Sequence, residues 1–282
     1  MTGAASLVAW GRAEVGQAEA RTLLAHALGT DLKGLLLAGD VPAEAEERFR
    51  ALVARRAGGV PVQHLTGEAW FRTVRLEVGP GVFIPRPETE VMTGVALERL
   101  RAVAASGRRP RVVELCAGSG AISLALATEG PDADAYAVEL SPEASGYLRR
   151  NLAGTGVEVV QGDMADAFAE LDGTVDVVVA NPPYVPLDAY ASLPVDVREH
   201  DPALALFSGA DGLDALRVVA AVAGRLLRPG GWAYAEHADA QGESAPEVFV
   251  RTGLFDRVGD QHDLNGRPRF VAARRTPGRM GT

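Results

Sequence analysis

From residue 110 onward the chain alternates between short apolar runs and longer helical ones. "RVVELC" is followed by "AISLALAT", "AYAVEL" by "PEASGYLRRNLAG", and "VEVVQGD" by "ADAFAEL". "VDVVVA" leads through a long loop to "DGLDALRVVAAVAGRLLR", and "GWAYAEHA" to "ESAPEVFVRTG". Strands that are apolar on both faces need cover on both faces, and intervening helices supply it, so the pattern predicts a mostly parallel sheet. "FDRVGDQ" and "PRFVAARR" close the series with no helix between them; they should pair as a hairpin and leave one strand antiparallel. The expected fold class is α/β, a Rossmann-like domain built on a seven-stranded mixed sheet.

The first part of the chain reads differently. "AEARTLLAHALG" puts Ala20, Leu23, Leu24, Ala27 and Leu28 on one helical face and stops at Gly29. "DLKGLLLAG" predicts a shorter helix, and "AEAEERFRALVARRAGG" another that runs to a double glycine. Residues 1–58 are therefore expected to form a small helical domain, whose role is either packing alone or holding a partner. "GVPVQHLTG" reads as a linker. "TVRLEV" alternates as a half-buried strand, and Gly79-Pro80-Gly81 should turn it onto "VFIP" as a β-hairpin, so residues 59–85 join the domains and 86–282 form the larger one. "PETEVMTGVALERLRAV" opens a helix at Pro87, with glutamates in its first turn.

Charge narrows the partners. The formal net charge is −9. Residues 1–58 carry seven acidic and seven basic side chains, so the excess lies in residues 59–282, with 30 acidic against 21 basic. A surface of that sign repels a phosphate backbone and argues against a broad nucleic-acid footprint. The single cysteine, Cys116, has no partner for an internal disulfide, and no Cys/His spacing suggests a metal. No signal-peptide pattern or membrane-length apolar run is present, so a cytoplasmic location is expected. The five histidines form no triad-like grouping and are not expected to be catalytic.

In an open parallel sheet, ligands sit beyond the carboxyl ends of the strands. The first strand ends in "ELCAGSGA", where Gly118 and Gly120 suit a tight turn before a helix. The second ends in Glu139, 19 residues after Gly120, where a carboxylate would accept both ribose hydroxyls. A dinucleotide site looks similar to this point, although Ser123 stands where its third glycine belongs. The third strand ends in "GDM": Asp163 is suited to an adenine amino group and Met164 to the ring face, or they are a loop acid and a core methionine. The fourth ends in "NPPY", residues 181–184.

That last motif suits a planar NH₂ group whose lone pair is delocalised. The Asn181 side-chain oxygen and the Pro182 carbonyl would accept its two N–H groups, and these bonds strengthen as positive charge develops on nitrogen. Two prolines stiffen the turn, and Tyr184 would lie against the planar group. A methyl donor would have to sit in line, roughly 3–3.5 Å from the nitrogen. Residues 185–210 follow as a long loop, expected to be a flap that shapes the substrate site.

"NPPY" resembles the amino-group methyltransferases that use S-adenosylmethionine. Together with "VFIPRPETE", "VVELCAGSGAISLALA", "LFSGADGLDALR" and "DLNGRPRF", it makes nearly the whole chain similar to the HemK/PrmC family. That resemblance implies a protein-(glutamine-N5) methyltransferase acting on the Gly-Gly-Gln glutamine of peptide-chain release factors, with S-adenosyl-L-methionine as cofactor, release factors as partners, and a monomer in the cytoplasm. Carried onto this sequence, it implies a cofactor set of Glu114, Gly118, Gly120, Glu139, Asp163, Met164 and Asn181. Gly118 and Gly120 would lie under the methionine part, Glu139 at the ribose, and Asp163 with Met164 about the adenine. Asn181, Pro182 and Tyr184 would be catalytic, and Asn181, Pro182, Pro183, Tyr184, Phe83 and Arg86 would meet the substrate. Two positions depart from the family pattern: Met164 replaces a frequent aromatic residue, and Asp201 precedes Pro202 where Glu is usual.

Two other readings compete. An adenine N6-methyltransferase would use the same motif but needs a basic channel. A non-catalytic nucleotide- or partner-binding module has no use for the paired acceptors of "NPPY".

Overall fold

The computed structural model describes residues 2–277, which divide into two compact units. Residue 1 and residues 278–282, at the ends of the expected domains, lie outside the described residues.

One unit gathers residues 2–68, 78–80 and 194–200. Its main helices are α1 (Ala4–Val15), α2 (Gln17–Ala27), α3 (Leu32–Leu37), α4 (Ala43–Ala57) and α5 (Val62–Thr66). On α2 the predicted face is buried at Ala20, Leu23, Leu24 and Ala27 and half-buried at Leu28, just past the helix end. Leu7, Phe49, Val53 and Leu65 complete that core. The Asp31 carboxylate accepts the Gly34 N–H at 2.7 Å and caps α3. Helix α4 has Glu44 and Glu46 in its first turn and Arg55 and Arg56 in its last, the signs favoured by the helix dipole. Helix α5 corrects the reading of "GVPVQHLTG" as linker. Pro61 stands at its N-cap, and Leu65, 7% exposed, is anchored in the core.

The other unit holds residues 69–77, 81–193 and 201–277. The expected hairpin is present but with a different partner strand. β2 (Val74–Glu77) pairs with β1 (Glu68–Phe71) before it, not with "VFIP" after it. The turn between them needs Arg72 at φ 53°. Non-local contacts hold it there: the Arg72 N–H donates to Glu90 at 2.9 Å, and its guanidinium meets Glu129 at 2.7 Å. Val82 and Ile84 are buried without forming a strand.

Then follow α6 (Thr89–Ala105), β3 (Arg111–Leu115), α7 (Ala121–Glu129), β4 (Asp134–Glu139), α8 (Pro142–Asn151), β5 (Glu158–Gln161), β6 (Val175–Ala180), α9 (Asp214–Leu226), β7 (Leu227–Glu236), α10 (Ser244–Arg251), β8 (Phe255–His262) and β9 (Pro268–Arg275). The seven strands lie in the order β8-β9-β7-β6-β3-β4-β5. Neighbours are parallel from β7 to β5, while β9 runs antiparallel to both β7 and β8. Val177, Val178 and Val179 at the sheet centre are fully buried, and each contributes about 1.5–3 kcal/mol. Helix α9 covers the sheet through Leu216, Val219, Ala220 and Ala223, the i, i+3, i+4, i+7 positions of one face.

Three local readings change. Helix α6 starts at Thr89, not Pro87. "ADAFAEL" forms only a 3₁₀ turn, Ala169–Leu171, because Phe168 takes a left-handed conformation (φ 56°) and buries its ring in the core. Residues 185–210 carry short helices at Val195–His200 and Ala203–Leu206, besides a 3₁₀ turn at Leu187–Ser192. Among the described residues no helix is long and apolar enough to cross a membrane.

Candidate active site

The strand order reverses direction between β3 and β6: the chain moves outward to β4 and β5, then returns to β6 and β7. Parallel pairing aligns the strand ends there. Leu115 pairs with both Val138 and Ala180, Glu139 pairs with Gln161, and Ala180 pairs with Ala235. Beyond those ends lies a cavity of about 360 Å³. Glu114, Gly118, Glu139, Asp163, Met164, Asn181, Pro183, Tyr184 and Phe83 all reach its wall.

Glu139 is nearly buried, and both its carboxylate oxygens are engaged. The Gly118 N–H donates to one at 2.7 Å and the Ser141 N–H to the other at 2.8 Å. Glu114, at the end of β3, accepts the N–H of Ser123 at 2.8 Å and also its hydroxyl. Burial pushes the Glu114 carboxyl up to about 8, against the pull of the Ser123 hydrogen bonds. Asp163 accepts the Ala165 N–H at 2.9 Å, which shapes the turn after β5. The Met164 sulfur lies 3.5 Å from the Cys116 thiol, whose ionisation is pushed up by burial and by the neighbouring carboxylates.

Three predicted site residues stand off the cavity wall. Gly120 (φ 83°) packs against α8, and a Cβ there would meet Leu148 at 2.7 Å. Its glycine is required by helix packing. Pro182 is buried beneath the turn, whereas Pro183 lines the cavity. Arg86 lies over the Phe83 ring at 5.0 Å and pairs with Asp201 at 2.6 Å. It thereby ties the Pro202–Phe207 segment, which does line the cavity, to the chain just before α6. Val185 donates to the Leu206 carbonyl at 2.8 Å and accepts from the Ser208 N–H at 2.9 Å, so the flap is joined directly to "NPPY".

The sequence reading missed Thr89 and Glu236. The Asn181 Nδ2 donates to the Thr89 Oγ1 at 3.2 Å, and the Thr89 hydroxyl donates to Glu236 Oε2 at 2.6 Å. The Tyr184 hydroxyl donates to Glu236 Oε1 at 3.4 Å. Glu236 is 1% exposed, and burial pushes its carboxyl up to about 7, opposed by the Thr89 hydroxyl and by the Arg269 charge. Burial also holds the Tyr184 phenol well above its ordinary range, so it remains a donor. Glu236 ends β7, and the rule that singled out Glu139 and Asp163 as strand-terminal acids finds it too once applied to the fifth strand.

Tyr184 is also braced from behind. Gln241 Nε2 donates to the Tyr184 carbonyl at 3.2 Å. Gly212 (φ 75°) passes so close that a Cβ there would stand 2.2 Å from the same oxygen.

The wall suits a nucleoside carrying a sulfonium centre: a two-oxygen acceptor fixed by backbone N–H groups, further acidic side chains at Asp163 and Glu114, and largely apolar surroundings. Among the described residues no group of His, Cys, Asp and Glu is arranged to hold a metal.

Comparison with known proteins agrees. A family model described as "PrmC N-terminal domain" matches residues 6–67, and one described as "Methyltransferase small domain" matches residues 74–191. The "Release factor glutamine methyltransferase" of Streptomyces coelicolor is 50% identical over 233 residues, covering 83% of this chain and 82% of that protein. Its namesake from Mycolicibacterium smegmatis is 47% identical, covering 91% and 90%. A "4-amino-L-phenylalanine/4-methylamino-L-phenylalanine methyltransferase" of Streptomyces pristinaespiralis is 43% identical, covering 90% and 86%. Among solved structures, the hMettl16 catalytic domain in complex with MAT2A 3'UTR hairpin 6 shares the fold with a TM-score of 0.54 at 12% identity, covering 82% of this chain and 84% of that one.

Proposed function

We propose, proceeding from the premise that this chain belongs to the release factor glutamine methyltransferase family, that its substrate is the glutamine of the Gly-Gly-Gln motif in peptide-chain release factors, methylated at the side-chain nitrogen. The chain is an S-adenosylmethionine-dependent methyltransferase. One observation carries the substrate reading: Asn181, Pro183 and Tyr184 border the same cavity as Gly118, Glu139 and Asp163, so a flat amide and a nucleoside would meet across adjoining strand ends.

S-adenosylmethionine, when bound, supplies an activated methyl group on sulfur. Glu139 would hold its ribose, Asp163 and Met164 would frame the adenine, and Gly118 would lie under the methionine part with Glu114 nearby. The Asn181 Oδ1 would accept one N–H of the glutamine amide, and the main-chain carbonyl of Pro182, a residue otherwise buried off the cavity wall, would accept the other and orient its nitrogen. These bonds gain strength as the nitrogen becomes positive, so they stabilise the transition state more than the ground state. The alkylated nitrogen is acidic enough to lose a proton without a strong base. Tyr184 packs against the amide as a donor to Glu236. Phe83 would meet the substrate from the cavity wall, and Arg86 would act through the segment it tethers at Asp201. Residues 1–58 would dock the protein substrate, in the cytoplasm where release factors act, with the enzyme working as a monomer.

The Streptomyces pristinaespiralis relative favours a second reading, methylation of a small aromatic amine. A labelled-methyl transfer assay separates the two. Unmodified release factor, its Gln-to-Ala variant, 4-amino-L-phenylalanine and unmodified DNA are offered in parallel. Label on the first alone supports the proposal; label on the Gln-to-Ala variant, the free amino acid or DNA rejects it.

A further inference from the structure

We propose that Thr89 and Glu236 are positioning residues that decide which end of the Asn181 amide faces the cavity. This deepens the functional reading above and rests on it for its kinetic test.

An asparagine amide has a donor end and an acceptor end of nearly equal size, so packing alone does not choose between them. Only the acceptor end serves a substrate NH₂ group. A neighbouring hydroxyl chooses if the direction of its own proton is fixed. Thr89 has one hydroxyl proton, committed to Glu236 Oε2 at 2.6 Å. What Thr89 then offers Asn181, 3.2 Å away, is a lone pair, which only the Nδ2 end satisfies. Oδ1 is left for the cavity. Glu236 thus acts through Thr89, although Asn181 and Glu236 each follow one member of the paired residues Ala180 and Ala235.

The same carboxylate accepts the Tyr184 hydroxyl at 3.4 Å. It receives two hydroxyl protons and fixes two neighbours of the substrate position. An amide replacing it has one acceptor atom and satisfies one hydroxyl only. Protonation of Glu236 has a related effect: the acid proton faces Thr89 or Tyr184, and the Thr89 proton is released to turn toward Asn181. The groups facing Glu236 are Thr89 and Glu88 at the start of α6, Tyr184 after β6 and Arg269 on β9. Directly after its strand comes His237, engaged with Asp260 at 2.9 Å.

The test uses the full chain and the variants Thr89→Val, Thr89→Ser and Glu236→Gln, each checked for folding by circular dichroism. The first readout is the side-chain ¹⁵N resonance of Asn181, assigned by its loss in Asn181→Ser. In the wild type one Nδ2 proton is expected to be hydrogen-bonded and exchange-protected above neutral pH, and to lose protection as pH falls through about 7. Thr89→Ser keeps this behaviour, Thr89→Val loses the protection at every pH, and Glu236→Gln loses the inflection. The second readout is methyl transfer to release factor. Thr89→Val should lower kcat about 10²-fold and Glu236→Gln about tenfold, with adenosylhomocysteine affinity unchanged and Thr89→Ser near wild type. An Asn181 resonance identical in wild type and Thr89→Val, or a pH inflection retained in Glu236→Gln, overturns the proposal. If the wild type does not methylate release factor at all, the substrate reading fails and the resonance alone decides the positioning role.

Discussion

Arg86 and Asp201 stand 115 residues apart in the chain, and their side chains meet at 2.6 Å. The Asp201 side chain is 2% exposed and the Arg86 side chain 33%. The pair fastens the segment that lines one wall of the cavity to the stretch that leads into Thr89. Arg86→Met should keep the fold and loosen that wall. Because Arg86 is partly solvated, the stability loss should be about 1–3 kcal/mol, below that for a fully buried pair. Limited proteolysis checks it: cleavage should concentrate in residues 194–207, with KM raised more than kcat is lowered. An unchanged cleavage pattern contradicts the fastening role.

Asn181→Ala removes the proposed acceptor for the substrate nitrogen. Turnover should fall by about 10²–10³-fold, while adenosylhomocysteine, whose proposed holders are the loops around Gly118, Glu139 and Asp163, should keep its affinity. Calorimetric binding beside single-turnover transfer makes the comparison. Weakened binding with normal turnover at saturation would assign Asn181 to the cofactor instead.

Glu114 makes stability depend on pH in the direction opposite to a paired surface acid. Its carboxyl rises from an ordinary 4.5 to about 8 in the fold because burial penalises the charge. Between those values the folded chain binds more protons than the unfolded one, so stability falls as pH rises. The contribution is complete below 4.5 and is lost as pH passes through about 8. Glu114→Gln has no such titration. Thermal melts between about pH 5 and about pH 8.5 should show a steeper fall in Tm for wild type than for the variant, roughly 2–4 °C for each kcal/mol involved. Parallel curves would refute the assignment.

Gly212→Ala forces a methyl group toward the Tyr184 carbonyl and asks alanine to take φ 75°. Crowding and backbone strain together should cost about 2–5 kcal/mol. Denaturant unfolding measures the loss. Gly230→Ala, also at positive φ but with no atom within 4 Å of the added carbon, gives the backbone share alone. Equal losses in the two would mean that contact with Tyr184 contributes nothing.

Helix α3 leaves Leu36 73% and Leu37 89% exposed, an apolar surface suited to the proposed docking of a protein substrate. Leu36→Glu with Leu37→Glu should raise KM for intact release factor about tenfold or more, with a short Gly-Gly-Gln peptide unaffected. Equal effects on both substrates would remove α3 from docking.

The sheet was legible because its strands are apolar runs, a local signal that survives without knowledge of the fold. Glu139 and Asp163 were legible because each terminates such a run. Glu236 terminates one too, but its importance depends on lying beside Asn181 across a strand pair, which spacing in the chain does not reveal. Thr89 was hidden inside a stretch that also reads as an ordinary helix start. The hairpin was misread because its turn depends on Arg72 in a left-handed conformation, held by Glu90 and by Glu129, 18 and 57 residues away. Gly120 followed the glycine-turn pattern, yet its requirement comes from Leu148 on the next helix, a neighbour visible only after folding.

Glu139 works as a buckle. The main chain after one strand and the main chain after the next are both fastened to the same side chain, through Gly118 and Ser141. In its proposed role at the ribose, it would offer a sugar diol lone pairs that are already aimed, and recognition would require little rearrangement. The same rigidity would make such a site intolerant: a sugar lacking one hydroxyl would forfeit a bond outright, because the carboxylate cannot swing to recover it without undoing two turns at once.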